Sequence, residues 1–291
     1  MIEELLPAAE SLYTHIEKDI NDTIVHRREI WRHLKDIKSE NVWDTRMQDP
    51  SYEQYVKRPL HHRSKTELFN GAHRFGVVTG GLHIDVKKMI TTLQHRWRAE
   101  GILINELFDE SQLELLDECY SYKGKSYRHV ILAQGHRGKA SVLFRTDNYR
   151  PVKGEVLIVR IPGLQLDDIV KYGKFIMPIG DDLFWIGSNY QHDYKHDQPD
   201  SSQTNELYTF LDDVMARPYK VIDHQSGIRP ATKYRRPLIG EHKQRKGLFL
   251  FNGLGTKGIS LAPYFSQKLI QSINDKLSFD GTKAYNDSFH I

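Results

Sequence analysis

The sequence is short of cysteine, of long apolar runs and of a dominant charge, and each shortage excludes a class of protein. Its single cysteine, Cys119, leaves no internal disulfide and no cysteine-built metal cage, and fits a reducing, cytoplasmic setting. No apolar run reaches the roughly 18 residues that a membrane-spanning helix requires. The N-terminus, Met1-Ile2-Glu3-Glu4, lacks the basic and apolar regions of a signal peptide. The expectation is a soluble protein with no membrane contact. Lysine and arginine number 41 against 38 acidic residues, a net charge of +3, with the two signs interspersed. That balance is not the footprint of a nucleic-acid binder. Metal-ligand spacing is lacking as well. The pair His61-His62 lies in a basic cluster without ligand spacing on one helix face, and the polar run Gln191 to Asp200 has mixed charges and a proline; both read as solvated loops, so no metal site is expected.

What is present is concentrated near the C-terminus. Gly247 to Phe251 is an apolar run of the kind a buried strand shows, and from Ile259 apolar residues recur at helical spacing through Leu261, Phe265, Leu269 and Ile273. Between them lies Gly253-Leu254-Gly255-Thr256-Lys257-Gly258, a literal GxGxxG. Glycines let backbone N–H groups approach a ligand, and the helix that follows offers donors and a partial positive charge to an electron-rich group. A dinucleotide-binding turn opens a βαβ unit and has an acidic residue about 20 positions on. The polar tail after this helix supplies no second strand, so the loop reads as one that closes a nucleotide-cofactor fold. An ordinary glycine-rich strand-to-helix turn has the same spacing.

Earlier in the chain, Ile2 to Ile20 is an amphipathic helix with Leu5, Ala9, Tyr13 and Ile16 on one face. Thr23 to Val56 is charged, with Trp31, Leu34 and Trp43 among its apolar anchors. Phe75 to His83 reads as a strand ending in a tight turn, and Ile84 to Ala99 as a helix stopped by Gly101. Strands are expected at Ile102–Ile104, Leu113–Leu116 and His129–Ala133, the last running into Gln134-Gly135-His136-Arg137-Gly138. From Tyr149 the pattern is β, with Val156–Ile161, Phe175–Ile179 and Leu183–Gly187 paired antiparallel across turns such as Gly180-Asp181-Asp182. A helix over Glu206–Met215 and a strand starting at Tyr219–Ile222 complete the pattern.

Three blocks in order resemble one family: His129 to Gly135 with Pro151 to Val156, Ser226 to Gly240, and Leu250 to Pro263. Together they are similar to the FAD-dependent oxidoreductases of the D-amino-acid, glycine and sarcosine oxidase superfamily. The resemblance implies an α/β fold, an FAD/NAD(P)-binding layer of the glutathione-reductase type interleaved with an antiparallel-sheet substrate domain. It implies FAD as cofactor and a small amine or amino acid as substrate. Arg229, in Gly227-Ile228-Arg229-Pro230, matches the arginine that binds the substrate's carboxylate, a task suited to two parallel donors on a fixed charge. Gly253, Leu254, Gly255, Thr256, Lys257, Gly258 and Ile259 match the loop and helix start that approach the flavin ring. Ala133 and Gly135 match the turn along the nucleotide, and the strand near Leu107 and Phe108 a segment that contacts the adenine.

One departure stands out. Such proteins open with a strand and a GxGxxG turn that holds the pyrophosphate, and Gly76 to Gly81 has neither that spacing nor that place. The chain resembles a family member without roughly its first 60 residues, given the usual length of a βαβ unit. A gene fragment or misplaced start, a degenerate chain and half of a split protein each fit, the first best, and a complementing N-terminal segment is an expected partner. The expected division assigns 1–25, 83–142 and 225–275 to cofactor binding, with the first βαβ unit missing. It assigns 26–82 and 143–224 to the substrate domain, and 276–291 to a polar tail. The function expected is oxidation of the C–N bond of a small amino acid or secondary amine by hydride transfer to flavin. The rivals are oxidation of a carboxymethylamino-modified tRNA base and a catalytically dead binding protein.

Overall fold

The computed structural model describes residues 2–57, 67–72, 74–117 and 119–276, so His61 and His62 lie outside the described residues. The chain divides into two compact units. One comprises Met1–Val25, Ile84–Val152 and Ile228–Ile291, and the other His26–His83 and Lys153–Gly227.

The second unit is built on one eight-stranded sheet. Its order is Lys220–Arg229, Val152–Arg160, Leu183–Gly187, Lys174–Gly180, Ile169–Tyr172, Val25–Leu34, Arg74–Ile84 and Val56–Lys57. The middle strands pair antiparallel, Phe184 opposite Val159 and Ile176 opposite Ile186. The hairpin between Lys174–Gly180 and Leu183–Gly187 closes on Asp181 and Asp182 at φ 52° and 57°, as a two-residue turn with positive φ at both positions requires. The sheet is nevertheless not purely antiparallel. Val25–Leu34 runs parallel to Ile169–Tyr172, with Ile30 opposite Ile169.

One face of this sheet carries Trp31, Phe75, Val77, Leu157, Val159, Val170, Ile176, Phe184 and Ile186 into a single core. The helix Asn205–Val214 closes that core with Leu207, Leu211 and Val214, spaced so that one stripe faces the sheet. A second helix, Ile37–Met47, begins at a reciprocal cap: the Ser39 N–H donates to Asp36 Oδ1 at 2.7 Å, and the Asp36 N–H to Ser39 Oγ at 3.1 Å. Its Trp43 is seated so closely on the sheet that a Cβ on Gly76 would lie 2.2 Å from the indole. Arg74–Ile84 runs on as one strand, past the position where a tight turn was expected.

In the first unit the strand Leu248–Asn252 lies between Leu238–Glu241, antiparallel, and Val130–Leu132, parallel. Leu248 and Leu250 face a cluster with Leu113, Tyr120 and Leu132. Phe249 faces the opposite way, toward Leu261, Phe265 and Leu269 of the helix Gly258–Asn274 and Leu5 of the helix Ile2–Ile20. Burial on both faces explains why this strand reads as a continuous apolar run rather than an alternation. A third helix, Val86–Ala99, starts at Asp85, whose carboxylate accepts from the Lys88 N–H.

Two expected strands do not form. Ile102–Ile104 is irregular, with Ile102 67% and Ile104 50% exposed, so its apolar side chains have no sheet to bury against. The segment at Leu107 and Phe108 is likewise irregular. The turn after Val130–Leu132 is a short 3-10 helix, Gly135–Ala140.

Candidate functional site

The site is assembled in the first unit from two glycine turns and the end of the strand Lys220–Arg229. The strand Leu248–Asn252 delivers the chain to Gly253, whose φ of 76° lies in the left-handed region. A Cβ there would sit 2.9 Å from the Leu238 nitrogen and 2.9 Å from Thr232 Cγ2, so only glycine fits. Gly255 also has positive φ, 57°, and opens a 3-10 turn over Gly255–Lys257. The helix Gly258–Asn274 follows without a side-chain cap and without an acidic residue in its first turn. Its leading N–H groups are thus not claimed by a capping side chain.

Gly258 differs in conformation from the two glycines before it in the loop. Gly258 has helical φ, −52°, and a Cβ added to it would meet nothing nearer than Leu254 Cβ at 3.9 Å. Leu254 is half-buried against the Phe249 and Phe265 cluster, Thr256 and Lys257 are exposed, and Ile259 is 41% exposed. The Ile259 carbonyl accepts from Tyr13 Oη at 2.9 Å, and burial pushes that phenol up to about 12.

Ala133 follows the strand Val130–Leu132 and is exposed. Gly135 has φ 59°, and a Cβ there would point into open space. Its carbonyl accepts from Asn252 Nδ2 at 2.9 Å, and Asn252 Oδ1 accepts from the Gly253 N–H at 2.8 Å. The two turns are thereby joined.

Glu110 fastens the second turn from the other side. Its carboxylate accepts from Gln134 Nε2 at 2.9 Å, Ser141 Oγ at 3.0 Å, the Val142 N–H at 2.8 Å and the Leu143 N–H at 3.2 Å. Burial raises the pKa of this carboxyl, but the four donors outweigh it and hold the group below its ordinary value. Phe108, two residues earlier, packs its ring on Tyr122 at 4.8 Å beside the Leu113 and Leu132 cluster.

Arg229 ends its strand half-buried, and Pro230 follows. The Pro230 carbonyl accepts from the Gly255 N–H at 3.2 Å, and the Ala231 carbonyl from the Arg150 N–H at 2.8 Å. Thr232, 6% exposed, closes the bend by donating to the Arg236 carbonyl and accepting the Arg236 N–H. The residue after the candidate substrate arginine is therefore hydrogen-bonded to the candidate flavin loop. Phe108 reaches these elements through the cluster of Leu113, Leu132 and Leu250, and Glu110, two residues on, hydrogen-bonds to Gln134 of the second turn.

Asn252, Glu110 and Tyr149 were given no role from the sequence. Only the glycines around them signalled a special backbone. Among the described residues no group of three or more His, Cys, Asp or Glu side chains is placed to hold a metal ion, and no helix is long and apolar enough to cross a membrane.

The open space over Gly135, the left-handed glycines of the other loop and the uncapped helix start fit a flat, electron-rich group lying across backbone N–H donors. The comparisons with known proteins agree in kind. The model of the family described as "FAD dependent oxidoreductase" matches residues 5–271. A glycine oxidase of Geobacillus kaustophilus is 31% identical over 132 residues, which are 39% of this chain and 31% of that protein. A bifunctional protein of tRNA 5-methylaminomethyl-2-thiouridine biosynthesis from Marinobacter nauticus is 26% identical over 187 residues, 57% of this chain and 30% of that protein. The matched part thus spans about a third of the length of these relatives. Among solved structures, glycine oxidase from Bacillus cereus superposes with a TM-score of 0.78 at 18% identity, over 94% of this chain and 81% of its own. Iminodiacetate oxidase from Chelativorans sp. gives 0.74 at 18% identity, over 92% and 78%. At that identity the structures speak for the fold.

Proposed function

We infer, on the premise that the chain belongs to the family of FAD-dependent oxidoreductases, that it oxidises the C–N bond of a small amino acid or secondary amine. The observation that carries this reading is the hydrogen bond from the Gly255 N–H to the Pro230 carbonyl, which ties the turn after Arg229 to the glycine loop within one compact unit. Arg229 would receive the substrate's carboxylate on two parallel N–H donors, and its permanent charge suits a permanent anion. The N–H groups from Gly253 to Ile259 would line the electron-rich edge of the flavin, with the start of the helix Gly258–Asn274 adding its partial positive charge. Ala133 and Gly135 would lie along the nucleotide. When bound, FAD accepts the hydride from the carbon next to the amine nitrogen. This chain's residues then have only to bind, orient and exclude water, and no side chain needs to act as a strong base.

A partner belongs to the proposal. Val130–Leu132 is an outer strand of its sheet among the described residues, and its Ile131 is 40% exposed. A strand that brings a phosphate-holding turn would pair along that edge and complete the seat of the pyrophosphate. Similarity to the tRNA-biosynthesis protein favours a second reading, in which the amine is a carboxymethylamino group on a tRNA base. The small net charge gives that reading no electrostatic support.

Purified with excess FAD and desalted, the chain alone should be colourless, and co-expressed with a segment that supplies a strand and a phosphate-holding turn it should be yellow. Anaerobic glycine or sarcosine should then bleach the flavin band. A yellow complex that neither a small amine carboxylate nor modified tRNA bleaches would refute the oxidoreductase reading, and bleaching confined to modified tRNA would refute the small-substrate reading and establish the second.

A further inference from the structure

Asn252 is 3% exposed and sits where the strand Leu248–Asn252 ends. Both ends of its amide are engaged. Nδ2 donates to the Gly135 carbonyl at 2.9 Å, a residue 117 positions away, while Oδ1 accepts from the neighbouring Gly253 N–H at 2.8 Å. The approach of the second turn to this amide is close by construction. A Cβ on Gly138 would lie 2.5 Å from Asn252 Nδ2 and 2.9 Å from Tyr149 Oη. Tyr149 is itself 1% exposed, and burial pushes its phenol up to about 12, so it remains a neutral wall behind the turn.

We propose that Asn252 is a positioning residue: it yokes the turn at Gly135 to the turn at Gly253, so that the flavin end and the nucleotide end of one cofactor meet turns set at a fixed spacing. The proposal rests on the reading that both turns face FAD. The physical reason is pre-organisation. Each turn relies on left-handed glycines, which by themselves sample many conformations. A ligand that spans two independent turns would have to order both, whereas turns already locked to one buried amide cost less to order. Asparagine suits the task because it offers one donor and one acceptor from a short, planar group. Ionised aspartate has the same shape but no donor for the Gly135 carbonyl.

The test uses Asn252→Asp and Gly138→Ala, the second wedging the same contact from the opposite side. Each is compared with the parent by amide hydrogen exchange without flavin, and by flavin fluorescence quenching in the FAD-binding form. Losing one buried hydrogen bond should raise exchange across residues 134–138 about tenfold and weaken FAD by a similar factor, with the thermal midpoint of the rest of the fold little changed. Unchanged exchange at 134–138 in both variants would overturn the yoke. Raised exchange with unchanged FAD affinity would overturn its role in positioning the cofactor. If the parent takes no flavin in any form, the oxidoreductase reading fails. The exchange result then decides the yoke by itself, supporting it if exchange rises and overturning it if not.

Discussion

Replacing Lys153 with methionine should destabilise the protein by about 3–5 kcal/mol, the cost of leaving a buried carboxylate without its counter-ion. Lys153 and Glu155 are side by side on the strand Val152–Arg160, 1% and 0% exposed, with Nζ 2.7 Å from Glu155 Oε1. Lys153 Nζ also donates to the Gln198 carbonyl at 2.6 Å, and Glu155 accepts from the Asp200 N–H at 3.1 Å. His224 Nε2 lies 3.1 Å from the other carboxylate oxygen. The polar run Gln191 to Asp200 is thus an exposed loop pinned at its end by a buried charge network. Burial raises the pKa of Glu155, but the hydrogen bond from Lys153, the Asp200 amide, His224 and the lysine charge together bring it below its ordinary value of 4.5. A carboxyl depressed in the folded state stabilises above its unfolded pKa, and that contribution is lost as pH falls through the lower folded value. Acid should therefore destabilise the parent more steeply than Lys153→Met. Chemical denaturation at pH 7 and at pH 4 measures both effects. The double variant Lys153→Met/Glu155→Gln should recover much of the loss, and a double variant as unstable as the single would show that packing, not charge, holds the loop.

Arg229→Ala should cost about 2–5 kcal/mol of affinity for a substrate-like carboxylate, and Arg229→Lys about 1.5–3 kcal/mol, with the flavin spectrum of either variant unchanged. Lysine keeps the charge but replaces a planar fork of donors by a single ammonium, so the difference between the two variants isolates the bidentate geometry. The anchoring of the next residue through the Gly255 N–H to Pro230 carbonyl bond makes the arginine's backbone a fixed point. Titration of the flavin-bound form with a non-reactive carboxylate amine, followed by the shift of the visible band, gives the affinities. Equal affinities in parent and both variants would remove Arg229 from the site.

The glycine loop and its helix were legible in the sequence because they depend on local rules. Gly253 needs positive φ beside Leu238 and Thr232, and the helix after it repeats its apolar residues at Leu261, Phe265 and Leu269. The hairpin at Asp181 and Asp182 was legible for the same reason. The strand Val25–Leu34 was not, because Val-His-Arg-Arg-Glu-Ile-Trp-Arg-His-Leu reaches the core mainly through Val25, Trp31 and Leu34, and alternation is blurred by the half-buried residues between them. Ile102–Ile104 misled in the opposite direction, since an apolar run is a strand only where a neighbour pairs with it. Glu110 and Asn252 could not be read at all. Their meaning lies in partners 24 to 117 residues away, which no local spacing encodes.

The central claim is that the start of the helix Gly258–Asn274 is a backbone seat for the flavin, and Gly258→Ala tests it most directly. Because Gly258 is helical and its Cβ position is clear of the protein, alanine there should leave the thermal midpoint unchanged or raise it, Gly to Ala in a helix being worth up to about 1 kcal/mol. If flavin lies against that backbone, the same methyl group meets the ring, and FAD affinity should fall about tenfold or more, beyond the loss in Lys257→Ala. A stable Gly258→Ala protein that binds FAD as tightly as the parent would contradict the account and leave the loop an ordinary strand-to-helix turn.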